Sequence, residues 1–317
     1  MLGRMETEEA RRAAGAQYGV LTLAQARRCG MAEGEVRHLV RRGAWVRVHQ
    51  GVFRIRELED RSERGRLLSA VMAAQSALGP AAFASAETAA RLWGLHGLPM
   101  WDGTVHMTLP ATGTPYRIPG VRLYTWATEP KETVSRGRIR ATRPGRTLRD
   151  VVLRVDRYTA VCLLDSALNQ GLVRSGELSG LATANRARSG CRRSRPWWGL
   201  ADGRAQSPLE TRIRLVCADG GVPPDDLQHP FHDARGRLLA VGDLWWSDRR
   251  LLVEADGRAP HELPESLLRD RRRQNALELA RPDVRIIRFT WADLACPNYI
   301  LETVRGVGPD PNEPGSG

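Results

Sequence analysis

Four acidic residues in the last third of the chain could do chemistry together: Glu210, Asp243, Glu254 and Asp256. Glu254 and Asp256 end an apolar run, "LLVEADG", and Asp243 lies in the run before it, "RLLAVGDLWW". If the turn around Asp248 and Arg249 has an even number of residues, Trp246 faces Leu251 and Asp243 faces Glu254. Opposed residues share a face with Cβ atoms about 4.5–5.5 Å apart. Side chains repeat every two residues along a strand, which adds Asp256 to the group. Three carboxylates that close repel one another in a partly buried site, and a hard divalent cation relieves the repulsion. Magnesium, or manganese, on Asp243, Glu254 and Asp256 is therefore the expected cofactor. Beside a DNA phosphate such an ion polarises the phosphoryl oxygen, lowers the pKa of a bound water and stabilises the leaving oxygen. The alternative is an ordinary hairpin whose acids point into water. Against it, Leu251, Leu252 and Val253 leave no polar face, so the strand is expected inside a sheet.

The elements that must hold these acids are readable in order. "SPLETRIRLVCADGG" begins a helix with Ser207 as N-cap and Pro208 at the first helical position, and Leu209, Ile213 and Val216 form one face. Glu210, in its first turn, is three residues after Ser207 and suits a capping box, a role compatible with a catalytic one. Strands follow at "LQHPFHD", "RLLAVGDLWW" and "LLVEADG", then a helix, "ESLLRDRRRQNALELA", with Asp270 and Arg273 near its start. "DVRIIRFTWADL" supplies a last strand carrying Arg288. Helix, strand, strand, strand, helix, strand describes an α/β sheet with a helix on each side.

Near the N-terminus, residues 17–55 have a different rhythm. Thr22 can cap a short helix through Arg28, Gly30 ends it, and a second helix from about Ala32 to Arg42 turns Val36, Leu39 and Val40 inward. The period then becomes two, from Trp45 to Val48 and from Val52 to Ile55, around a turn at Gln50-Gly51. This is a helix-turn-helix with a β-wing. Its second helix would offer Glu35, Arg37, His38, Arg41 and Arg42 to a major groove, with Arg47 and Arg54 near phosphates. A unit that packs only against protein, with its arginines solvated, is the other reading.

The middle is mixed. "RSERGRLLSAVMAAQSAL", "SAETAARLWGL", "RPGRTLRDVVLRV" and "RYTAVCLLDSALNQGL" read as helices, "TVHMTLP" and "GVRLYTW" as strands. Asp150 and Asp165 fall on helices, where a carboxylate is usually a cap or an ion-pair partner. "RARSGCRRSR", residues 186–195, has five arginines and no acid, which suits either a solvated linker or a phosphate-binding strip.

Bulk properties narrow the partners. A formal charge of +12 and a pI near 10.5 attract polyanions, which makes nucleic acid, DNA or RNA, the expected partner. Lys131 is the only lysine, so arginine carries nearly all of this charge. Five scattered cysteines without a C-x-x-C pair suggest neither disulfides nor a zinc site and fit a reducing cytoplasm. No apolar run approaches membrane-spanning length, so no membrane is expected as a partner.

Two resemblances follow. "SPLE", "GDLWW", "VEADG", "RDRRRQNAL" and "IIRFTWADL" resemble the very-short-patch-repair-like endonucleases of the PD-(D/E)XK restriction-endonuclease superfamily. That likeness implies Glu210 as the helix acid, Asp243 as the principal metal ligand and Glu254 as the second acid. It puts Asp256 where other members carry a catalytic lysine, and His261, Asp270, Arg273 and Arg288 on downstream polar positions. With the lysine missing, either His261 or a metal-bound hydroxide activates water, or the domain has lost activity and only binds. The winged helix, with "SAETAARLWGL" and "ATRPGRTLRD", resembles AbiEi-type antitoxins, which implies promoter DNA and a toxin of unknown identity as partners.

The expectation is thus a multi-domain α/β protein. It comprises a winged helix-turn-helix over 1–57, an α+β domain with an arginine-rich linker at its end over 58–200, an endonuclease-like sheet flanked by helices over 201–305 and a disordered tail over 306–317.

Overall fold

The structure, a computed structural model, describes residues 2–109, 117–233, 235–257, 275 and 277–308. Its residues group into two compact units, Met1–Arg154 and Val155–Gly317. The divisions expected near residues 57 and 200 fall inside these units.

The first unit opens with α1 (Leu2–Gly15), β1 (Val20–Thr22), α2 (Leu23–Arg28), α3 (Glu33–Arg41), β2 (Trp45–His49) and β3 (Val52–Ile55). The strands form a three-stranded antiparallel sheet in the order β1-β3-β2. Helix, strand, helix, helix and a two-stranded wing fit the winged helix expected. The local causes are those read from the sequence. Thr22 caps α2 by accepting from the Gln25 amide at 3.1 Å, and the Gln25 side chain accepts from the Thr22 amide at 2.8 Å. Gly30 then turns at φ +85° and Gly51 makes the hairpin at φ +69°. Val36 is buried, with Leu39 and Val40 partly so, against Leu21, Ala26, Met31, Trp45, Phe53 and Ile55. Ala10 and Ala14 of α1 complete this core; neither α1 nor the three-residue β1 was expected.

The same unit continues with α4 (Glu63–Leu78), β4 (Phe83–Ala84), α5 (Ala86–Leu92), β5 (Val105–Thr108), β6 (Val121–Tyr124), β7 (Thr133–Arg136), β8 (Ile139–Thr142) and α6 (Pro144–Val152). Its five strands lie in the order β6-β5-β4-β8-β7. Asp150 is an ion-pair partner, 2.9 Å from Arg146 one turn earlier on α6.

The second unit contains α7 (Arg157–Asn169), α8 (Leu178–Thr183), α9 (Cys191–Ser194), α10 (Pro208–Asp219), β9 (Asp226–His232), β10 (Leu238–Trp246), β11 (Leu251–Ala255), β12 (Arg285–Phe289) and α11 (Pro297–Gly306). Its sheet runs β12-β11-β10-β9, with β10 antiparallel to both neighbours and β12 parallel to β11. Leu209, Ile213 and Val216 of α10 and Ile300 and Val304 of α11 pack on Leu244, Trp246, Leu251, Val253 and Phe289. Phe231, Trp245 and Leu252 face the other way, toward Leu277 and Val284. Most of the helix expected on that second side, and residues 309–317 of the expected tail, lie outside the described residues. The whole is a mixed α/β protein of several sheets.

Asp165, 1% exposed on α7, is a buried charge of this unit. Its carboxylate accepts from Arg214 and from the Thr211 hydroxyl at 2.8 Å each, and from the Asp202 amide at 2.7 Å. Burial outweighs the opposing field of Arg214 and pushes the carboxyl up to about 6. The folded state therefore holds this proton more tightly than the unfolded chain, and stability falls as pH rises from the ordinary carboxylate range through about 6. Asp165→Asn should flatten that dependence, removing about 2 kcal/mol of pH-linked change between pH ~4 and ~6 in urea unfolding. An unchanged slope would refute this.

Candidate functional site

On the winged helix, Arg37, His38 and Arg41 are exposed on α3, Arg42 follows at its C-cap, and Arg47 is exposed on β2. They differ in how their charge is met. Arg37 lies 3.5 Å from Glu33, which also holds Arg27 at 2.7 Å. Glu35 is spent on the helix itself, accepting from the Ala32 amide at 2.7 Å. Arg54, expected near phosphates, is 3.3 Å from Glu59. Arg47 lies 5.9 Å from the Phe53 ring centre. Among the described residues, Arg41, Arg42 and Arg47 have no carboxylate within ion-pair distance. The end of α3 and the adjoining wing strand therefore present cations that no described acid cancels.

The acids of the second unit form a fork. Trp246 pairs with Leu251, Trp245 with Leu252 and Leu244 with Val253, the register that the even turn predicts. Beyond Leu244 the ladder between β10 and β11 stops, and the Asp243 side chain takes the place of a backbone acceptor: its Oδ2 receives the Ala255 amide at 2.9 Å. Its Oδ1 receives the Gln228 side-chain amide at 3.2 Å, and the same nitrogen donates to Glu210 Oε2 at 2.9 Å. Glu210 Oε2 also accepts from the Gln206 amide at 2.9 Å, while Ser207 caps the Glu210 amide at 3.2 Å. The Ser207 half of the expected capping box is present, and for the reciprocal bond Glu210 accepts from the Gln206 amide in place of the Ser207 amide. Glu210 is 5% exposed. Burial, then the neighbouring Asp243 charge, pushes the Glu210 carboxyl upward; burial does the same to Asp243.

Glu254 does not join them. Its neighbours Val253 and Ala255 pack toward α10, so alternation along β11 turns Glu254 to the opposite face. There it meets Arg288, its register partner on β12, at 2.8 Å. The Asp256 amide continues the parallel ladder by donating to the Phe289 carbonyl at 2.8 Å. Among the described residues no three His, Cys, Asp or Glu side chains converge as a cation requires. Magnesium or manganese on Asp243, Glu254 and Asp256 does not fit this arrangement, because Asp243 and Glu254 face opposite ways and the oxygens of Asp243 are turned to N–H donors. His261 and Arg273 lie outside the described residues. Gln228, which joins Glu210 and Asp243, is the residue that sequence reasoning missed; its backbone sits at φ +54°, a conformation nothing in "LQHPFHD" signals.

Over 244 residues the chain is 32% identical to two uncharacterized proteins of Mycobacterium tuberculosis, from different strains, covering 75% of this chain and 83% of each relative. The chain belongs to their family. Residues 8–56 match the family model described as "Transcriptional regulator, AbiEi antitoxin". This AbiEi-type domain coincides with α1 through β3 and contains Arg37, His38, Arg41, Arg42 and Arg47. The likeness to very-short-patch-repair endonucleases rests on the motifs quoted above alone. No described helix is long and apolar enough to cross a membrane.

Gln228→Leu tests the fork. Removing the shared donor should destabilise the second unit by about 2 kcal/mol at neutral pH. Glu210 and Asp243 are both raised, so they take up protons early as pH falls and the repulsion between them disappears. The difference in urea midpoint between variant and wild type should therefore narrow as pH falls from neutral and the two carboxyls take up protons. A difference that stays constant from neutral to acid pH would show that Gln228 does not mediate between charges.

Proposed function

We propose that this protein is a DNA-binding transcriptional regulator of the AbiEi antitoxin kind, and that Arg41, Arg42 and Arg47 are its main phosphate contacts. The observation that carries the reading is the uncancelled cationic surface at the end of α3 and on the wing, inside the segment that matches the AbiEi model. That segment, residues 8–56, holds ten arginines against four glutamates, half of the net charge of +12 in less than a sixth of the chain. A planar guanidinium suits phosphate oxygens through paired N–H donors. His38 and Arg37, nearer the middle of α3, are the candidates for base edges. A toxin encoded alongside would be the protein partner.

The test is fluorescence anisotropy on duplex DNA from upstream of the protein's own gene, over a range of salt. The Arg41→Ala, Arg42→Ala double variant should weaken binding by about tenfold or more and reduce the slope of log affinity against log salt by about 2. Arg47→Ala should reduce it by about 1. Binding with no salt dependence, or unaffected by these changes, would refute the assignment.

A second reading, phosphodiester hydrolysis by the second unit, has one observation behind it. Glu210 and Asp243, the helix acid and principal ligand that the nuclease likeness implies, do meet at the opening of β10 and β11. The discriminating experiment incubates wild type and Asp243→Ala with duplex, single-stranded and mismatched DNA in magnesium or manganese. Nicking by wild type that Asp243→Ala lacks would support hydrolysis. Absence of nicking with every substrate would leave the unit a scaffold.

A further inference from the structure

The arginine-rich stretch 186–195 is built into the second unit, where it forms one wall of a cavity of about 690 Å³. The wall has a framework. α8 and α9 flank a turn in which Ala187 and Gly190 take left-handed backbone at φ +64° and +88°. Asn185, Ser194, Trp197 and Trp198 are buried beside it. Leu178, Ala182 and Trp198 line the cavity as its apolar part, and Arg186, Arg192 and Arg195 line it as its charged part. No aspartate or glutamate is among its lining residues. Among the described residues none of these three arginines forms an ion pair, whereas Arg174 beside them is held by Glu177 at 3.5 Å.

Three guanidiniums gathered at one concavity repel one another, and an anion placed among them relieves the repulsion while its oxygens take their N–H donors. A cavity in the range of about 300–1,000 Å³, apolar with a few convergent polar groups, has the size and character of a small-molecule site. We infer that this cavity binds a small anionic amphiphile, with a phosphate or carboxylate head on Arg186, Arg192 and Arg195 and an apolar or aromatic body against Leu178, Ala182 and Trp198. A polynucleotide would use the arginines but leave the apolar part unfilled, so the observations favour the compact ligand. The inference concerns the second unit and stands apart from DNA binding by the first.

The experiment titrates the full chain with 8-anilinonaphthalene-1-sulfonate, an aromatic body bearing one anionic group, and follows its fluorescence in the absence of DNA. Saturable binding at one site per chain is expected. Displacement by decyl phosphate or by decanoate identifies which head group the arginines prefer, and inorganic phosphate at the same concentration should displace little dye. Changing Arg186, Arg192 and Arg195 together to Gln should weaken dye binding by about tenfold or more. These side chains are exposed, so near-ultraviolet circular dichroism should be unchanged. Ala182→Trp, which fills the cavity, should abolish binding; should it fail to fold, the arginine variant decides alone. Non-saturating binding, equal affinity in the arginine variant, or stronger displacement by a short single-stranded oligonucleotide than by decyl phosphate would each overturn the inference.

Discussion

The second unit depends on a single amide. Gln228 donates one nitrogen to two carboxylates, the buried Glu210 on α10 and the half-buried Asp243 on β10, and so ties the helix to the sheet at the point where β10 and β11 part. Carboxylates brought together away from water need neutralisation by protons, by a cation or by N–H donors. Here the donors are supplied from within: the Gln228 side chain, the Ala255 amide and the Gln206 amide. An acid pair satisfied in this way is a structural joint. It holds α10 in register against Leu244 and Val253 and lets the apolar face between them close.

Most of the winged helix was legible because its signals are local. Thr22, Gly30, the apolar triplet Val36, Leu39, Val40 and the turn at Gly51 each act within a few residues of themselves, and each does what its chemistry predicts. β1 was not legible because three residues carry no period; it exists through pairing with β3, which is a long-range fact. The same division runs through the acidic site. The pairing of Trp246 with Leu251 follows from turn length and was readable. The fate of Asp243 was not, because extending that register by one step assumes that the ladder continues. It stops at Leu244 and Val253, and Asp243 leaves the face that Glu254 occupies to fill the gap in the ladder with its own oxygens.

Charge cancellation separates the arginines of this chain into two populations. Arg146, Arg157, Arg214 and Arg288 each meet a carboxylate at 2.9 Å or closer and hold elements together. Among the described residues, Arg41, Arg42 and Arg47 on the winged helix, and Arg186, Arg192 and Arg195 at the cavity, do not. In a sequence with a single lysine and 36 acids, composition alone cannot tell these groups apart. The distinction arises only when helices and strands decide which acids come within reach. An uncancelled guanidinium keeps its full field for an outside anion, whereas a paired one offers little.

This distinction also bears on the missing lysine. Cleaving a phosphodiester builds negative charge on the phosphoryl and leaving oxygens, and a site must meet that charge with cations already in place. Among the described residues, the arginine that the nuclease likeness would assign, Arg288, is committed to Glu254 at 2.8 Å on the other face of the sheet. Asp256, at the position where the nuclease likeness would imply a lysine, adds a carboxylate to a strand end that already carries Glu254. Among the described residues the oxygens of Asp243 are met by N–H donors, an arrangement that suits holding a helix against a sheet. In the first unit, by contrast, Arg41, Arg42 and Arg47 have no acid in reach among the described residues, and it is there that the proposed attraction for DNA would lie.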